Sequence, residues 1–196
     1  MDDIKSAAEI AAEKVESLGK ATDEERLEWK YVPEGEKLAA SYFKHKFELA
    51  SDLNKYEEKA KRHVVKGAVD ILIRYIDLPK SDLAKKNNRL AMDGIKTLKS
   101  DKVSVENMYS MMRQIFNHYA EDGERQRKQA YESLKTEFEA KIQQAIQQQT
   151  GTLAGMKIDV ETQPQFQEEW RQVLGQLDSQ YYRLLDEYKQ EILAIS

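Results

Sequence analysis

Apolar and polar positions recur along most of this chain with the period of an α-helix. From Glu34 to Leu78 the positions Leu38, Tyr42, His45, Leu49, Leu53, Tyr56, Ala60, Val64, Gly67, Ile71, Tyr75 and Leu78 follow one another at steps of three or four residues. A stripe of that spacing, with no proline inside it, predicts one long amphipathic helix. At ~1.5 Å per residue it would run roughly 65–70 Å and would need a partner of similar length. Its last part, residues 64–78, is apolar nearly all round, which requires cover on most sides, from a multi-helix head or from an oligomer interface. Val65, Val69, Leu72, Ile73 and Ile76 lie off the main stripe, and they are the candidate partner-binding residues.

Two further long stripes follow. Ser104 reads as an N-cap, with Val103 and Met108 placed for a hydrophobic staple. The helix it opens extends to about Gln149 through Val105, Met108, Met112, Phe116, Tyr119, Ala130, Leu134, Phe138, Ile142 and Ala145. Its pattern lapses between Tyr119 and Ala130, so a soft spot is expected near Gly123. Pro164 suits the first turn of a last helix. That helix carries the cleanest seam of the chain: Phe166, Trp170, Val173, Leu177, Tyr181, Leu184, Tyr188, Ile192 and Ile195.

Shorter elements fill the remainder. Residues 3–18 read as a thin, alanine-rich helix. Thr22-Asp23-Glu24-Glu25 is a capping box opening a short helix to about Lys30, which Pro33 is expected to break. Ser81 caps a helix over about 82–99, with Leu83, Leu90, Ile95 and Leu98 inward. Met156, Ile158 and Val160 alternate. Docking on the bundle is the simpler reading for this loop, and a strand paired between two copies is the sharper one.

The expected fold is all-α. It is an elongated antiparallel bundle of three long helices, with shorter N-terminal helices and a small head. The corresponding organisation is an N-terminal segment 1–33 and a bundle 34–196, the head at about 64–119 and the stalk from 34–63, 120–149 and 164–195. The stripes step near 3.6 rather than 3.5 residues, so only weak coiled-coil winding is expected.

Composition agrees with long helices: 34% of residues are charged, and there are only 8 Gly and 3 Pro. The absence of cysteine excludes disulfides, thiolate catalysis and Cys-based metal sites. No apolar run approaches a membrane span and no signal-like segment opens the sequence, so a cytoplasmic protein is expected. The net charge of −4 divides unevenly, into −6 over residues 1–36, +7 over 37–102, 0 over 103–158 and −5 over 159–196. The basic stretch 80–102 has no aromatic residue and one arginine, Arg89, which argues against nucleic acid. A solvated face that attracts the acidic ends is the plainer account.

Motifs for nucleotide binding and for hydrolase or metalloprotease chemistry are missing. In the antiparallel register, paired positions place His63 beside His118 with Glu121 one turn on, a possible metal set, and His45 beside Glu137. A histidine at a seam edge without metal is the commoner arrangement. No metal, cofactor or catalytic residue is therefore assigned. The Met108, Met111 and Met112 cluster and the tyrosines at 42, 56, 75, 119, 181 and 188 read as core. The expected function is a non-enzymatic helical interaction or scaffold protein that self-associates. The alternatives are a metal- or ligand-binding bundle and a weak nucleic-acid or acidic-surface binder through residues 80–102.

Overall fold

The computed structural model describes residues 21–45, 48–150 and 159–196. Within them the protein is built from helices, with no strand: α1 (Asp23–His45), α2 (Leu49–Leu53), α3 (Glu58–Leu72), α4 (Asp82–Leu98), α5 (Lys102–Ala120), α6 (Asp122–Thr150) and α7 (Pro164–Ala194). Short 3-10 turns occupy Ile73–Tyr75 and Val160–Thr162. The all-α helical expectation holds. The predicted helix over residues 3–18, and Met156 and Ile158 of the alternating loop, lie outside the described residues.

Glu34–Leu78 is not one helix. It is divided among α1, α2 and α3. The partners of α1 and α3 advance together: Glu24 with Arg62, Glu28 with Lys66, Val32 with Gly67 and Phe43 with Tyr75. The two helices therefore run in the same direction, and the connection containing α2 carries the chain back between them. Stripes on two packed helices have the same period as one stripe on a continuous helix, and periodicity alone cannot tell them apart. α1 starts on the predicted capping box. The Glu25 amide donates to the Thr22 hydroxyl at 3.2 Å, and the Thr22 amide donates to the Glu25 carboxylate at 2.7 Å. Hydrogen bonds to the Thr22 backbone and hydroxyl hold the Glu25 carboxyl below its usual range. The helix then runs through Pro33, which is exposed, instead of ending before it.

Contact between α1 and α3 is backbone to backbone. A Cβ on Gly35 would stand 2.0 Å from the Val64 carbonyl oxygen, and one on Gly67 would stand 2.1 Å from that of Val32. Two glycines thus let the helix axes approach closer than side chains would allow.

The described chain forms two compact units. The first holds the residues up to Ile76 with Lys86–Glu106 and Ile195–Ser196, and the second holds Asp77–Lys85 and Asn107–Ala194. In the first unit Val64, Ala68, Val69, Leu72 and Ile76 are buried together with Ala39, Leu49, Ala91 and Ile95. Tyr42 crosses from α1 to donate to the Leu90 carbonyl at 3.2 Å. α4 begins on Ser81, whose hydroxyl accepts from the Ala84 amide at 3.2 Å. Leu83, expected inside, is 66% exposed. α5 is capped by Asp101, not Ser104: the Asp101 carboxylate accepts from the Ser104 amide at 3.0 Å and hydroxyl at 2.6 Å. Val103 is 72% exposed, so no staple forms. Lys99 is buried and donates to the Ile195 carbonyl, and Ser100 binds the Ser196 carbonyl through its amide and hydroxyl.

In the second unit Leu134, Phe138, Val160 and Phe166 form a core, with Tyr131, Ile142 and Trp170 packed around it. Its rings meet edge-on, Phe138 with Phe166 at 5.4 Å and Tyr131 with Trp170 at 5.0 Å. Such edge-to-face pairs add to area burial. Val160 is part of this core, as the docking reading of its loop expected. The soft spot in the long middle helix is a one-residue break at Glu121, two residues before Gly123. Hydrogen bonds from Glu121 N to Asn117 O and from Arg125 N to Glu121 O still cross it.

Candidate functional site

Phe166 and Ile192 of the apolar seam on α7 are buried, but in the middle of the helix the buried positions are Asp178 and Leu185, one position round from Leu177 and Leu184. One residue is a turn of about 100° in a helix, so this shift leaves the middle of the seam open. Val173, Leu177 and Tyr181 are half-buried, and Leu184 is exposed.

A charged network occupies the buried side. The Asp178 side chain takes the Lys80 ammonium at 2.7 Å, and the Arg127 guanidinium lies 4.0 Å away. A carboxylate of that burial is stable only with such partners. Asp178 Oδ1 has no hydrogen-bond partner, so its compensation is the charge of these two cations. Arg127 also sits 4.0 Å over the Tyr119 ring and donates to the Tyr119 carbonyl at 3.1 Å. It thereby satisfies a carbonyl at the end of α5 and braces the break at Glu121.

Beside this network lies a cleft of about 670 Å³, lined by Gln114, Ile115, His118, Gln126, Gln176, Leu177, Gln180, Tyr181 and Leu184. None of these nine is Asp, Glu, Lys or Arg, in a chain where such residues make up 34% and a random nine would hold about three. Four carboxamides line the cleft together with the exposed part of the apolar seam. His118 and Tyr181 join across it, Nδ1 to Oη at 2.9 Å, and the Asp122 carboxylate stands 3.3 Å from His118 Nε2. A carboxylate there favours the tautomer with its hydrogen on Nε2, which leaves Nδ1 to accept from the tyrosine hydroxyl.

Burial pushes the Tyr119, Tyr181 and Tyr182 hydroxyls above the usual tyrosine range. Burial alone would lower the Lys80 ammonium, but hydrogen bonds to Asp178 and Tyr182 outweigh it and the net shift is upward. Each of these groups holds its proton more tightly folded than unfolded. Their contribution is fully present below the ordinary values of 10.0 and 10.5 and is lost as pH rises through the raised ones. Melting temperatures from pH 8 to 12 should therefore be level at first and then fall steeply above about pH 10. A level profile to pH 12 would contradict the buried network.

The sequence-predicted sites are placed otherwise. Val69, Leu72, Ile73 and Ile76 are 2%, 0%, 6% and 0% exposed, and Val65 is half-buried. These side chains pack within the described chain, four of them with almost no exposed surface. His63 lies against Glu24 at 3.2 Å, off the direction of a hydrogen bond, while His118 engages Tyr181 and Asp122. Glu121 is exposed at the helix break. The register that joined His63 to His118, and His45 to Glu137, assumed one continuous helix over Glu34–Leu78 and fails with it. Among the described residues no group of three His, Asp or Glu is arranged to hold a metal. In the basic stretch Lys80 pairs with Asp178, Lys85 with Asp82 and Lys96 with Glu106, while Lys99 is buried, so much of its charge is engaged within the protein. No described helix is long and apolar enough to cross a membrane. Sequence reasoning missed the four cleft glutamines and Asp178. The available signal was the uncharged run Gln172–Leu177 in the middle of α7.

The described residues form an all-helical protein with an uncharged, partly apolar recess between α5, α6 and α7. The chain belongs to DUF6657, a family of unknown function, whose model matches residues 50–194. The match takes in α3 to α7, the cleft and the Asp178 network, and leaves α1 outside. No curated protein and no solved structure matches the chain.

Proposed function

We propose that this is a non-enzymatic helical interaction protein that self-associates, with copies meeting at the uncharged cleft. The observation that carries this reading is the depletion of charge around an open apolar seam. Charged residues are depleted at the cores of protein interfaces, where desolvating them is costly. The lining also suits a second copy. A carboxamide both donates and accepts, so the same glutamines on two subunits can pair across a two-fold axis, and like charges never face each other. Leu177 and Leu184, seven residues apart, offer the knobs that a helix from a second copy can receive. Because the α3 patch is covered within one chain, the contact surface moves from α3 to α7.

The test is mass by light scattering after size-exclusion chromatography. The wild type should run as at least two chains, and Leu184→Glu should shift it to one chain. Leu184 is exposed, so this change should leave the helical content of the single chain, read by circular dichroism, at the wild-type level. A single-chain mass for wild type at micromolar concentration would overturn the proposal.

A further inference from the structure

The connection between α1 and α3 has the sequence of a helix and the fold of a turn. From Glu36 to Lys66 there is no glycine and no proline, and the stripe Leu38, Tyr42, His45, Leu49, Leu53, Tyr56, Ala60 and Val64 passes through without a change of period. Helices α1, α4 and α5 start on Thr22, Ser81 and Asp101, whose side chains each accept from the amide three residues on. α2 and α3 start on Glu48 and Glu57, whose side chains make no such bond. The backbone leaves helical geometry at these two residues, with φ −83° and ψ 103° at Glu48 and φ −67° and ψ 153° at Glu57. No left-handed residue stops α2, since Asn54 after it keeps right-handed helical angles. We propose that α1 can leave its own α3 and dock on the α3 of another copy, with the connection closing into one continuous helix.

The docked contact is the same in both states. Gly35 meets Val64 and Ala68, Gly67 meets Val32, and Glu24 and Glu28 pair with Arg62 and Lys66. Another copy offers an identical α3, so exchange leaves these interactions unchanged and the connection decides the balance. A continuous helix returns intrahelical partners to the amides and carbonyls that the breaks at Glu48 and Glu57 orphan. Against it stand the loss of Leu49, buried with Tyr42 and Leu72 against Gly94, and the entropy of joining copies. Concentration therefore shifts the balance. α1 is also held lightly, for Gly35 and Ala39 are its only buried residues. Because α1 and α3 run in the same direction, a straight helix carries α1 beyond the start of its own α3. Parallel helices related by a two-fold lie level, whereas this docking needs a stagger, so α1 passes head to tail to a next copy. The contact does not use the cleft and does not rest on the reading above.

The chain has no cysteine, so introduced thiols report alone. Glu28→Cys with Lys66→Cys replaces an ion pair that bridges α1 and α3 near the surface, where such a pair contributes little to stability. Leu184→Glu in the same chain keeps the cleft contact out. The protein is incubated, dilute or concentrated, a few degrees below its melting midpoint, so that α1 can detach. It is then cooled, brought to one low concentration and treated with a short bis-maleimide crosslinker. Dilute samples should crosslink within the chain, and concentrated ones should give a ladder of two, three and more chains. Glu58→Pro should remove the ladder and keep the crosslink within the chain. Glu58 is the first residue of α3 and Glu57 before it is already extended, so proline fits the folded-back form and forbids a continuous helix. Glu57→Gly, a milder breaker at an exposed position, should shorten the ladder in the same sense. Crosslinks confined to single chains at every concentration would overturn the inference. So would a ladder that stops at two chains, or one that both breakers leave intact.

Discussion

Replacing Gly67 with alanine is expected to destabilise the protein by about 3 kcal/mol, the upper end for overpacking, and to lower the melting temperature by roughly 6–12 °C. Helix propensity alone argues the opposite sign. Gly67 lies inside α3, where alanine is intrinsically better by about 1 kcal/mol. Packing wins because the new Cβ would sit 2.1 Å from the Val32 carbonyl oxygen and close to the Val32 Cα. Both are backbone atoms of a packed helix and cannot rotate away. Gly35→Ala should behave alike, since its Cβ would stand 2.0 Å from the Val64 carbonyl oxygen. Gly175 supplies the contrast within the same protein. It is an exposed helical glycine on α7, and a methyl group placed there would meet nothing within 4 Å, so Gly175→Ala should stabilise by about 0.5–1 kcal/mol. Thermal melts of the three variants decide the matter. A neutral or stabilising Gly67→Ala would mean that α1 does not lie on α3 at this distance.

Asp178→Ala should cost about 3 kcal/mol, near the lower bound for breaking a buried ion pair. The carboxylate is 6% exposed, and its removal strands Lys80 and Arg127 beside an apolar wall. The Lys80 side chain is 44% exposed and can turn partly to water, which keeps the cost from reaching the upper bound. Combining Asp178→Leu with Lys80→Met should recover most of the loss, because apolar residues of similar size can replace a buried pair with little change. The double-mutant cycle in denaturant isolates the coupling. If Asp178→Ala melted with wild type, the carboxylate would not be organising this part of α7. The open seam beside it would then need another cause.

Much of the local structure was legible because its causes are local. The capping box at Thr22–Glu25, the Ser81 cap and the start of α7 at Pro164 depend on residues within one turn of each other. Where a local signal had a competitor nearby, the competitor could win: Asp101 took the cap read at Ser104, and Pro33 stayed inside α1. The break in the middle helix was visible as a lapse of pattern, and it fell two residues from the glycine expected to host it. The cleft was scarcely legible. Its glutamines and His118 are scattered from position 114 to 180, and their common property, lack of charge, emerges only when the surface is assembled.

The sequence by itself determined the all-helical class and the starts of α1, α4 and α7, since propensity, capping and the 3.6-residue period act over a few neighbouring residues. Which stripe meets which was decided only in three dimensions. Two glycines 32 residues apart turned one expected helix into two parallel ones, because a close crossing needs both backbones bare at the same place. Asp178 is buried against Lys80 and Arg127, cations distant in sequence, while Leu177 beside it is half-buried and Leu184 exposed, an arrangement that only the assembled helices bring about.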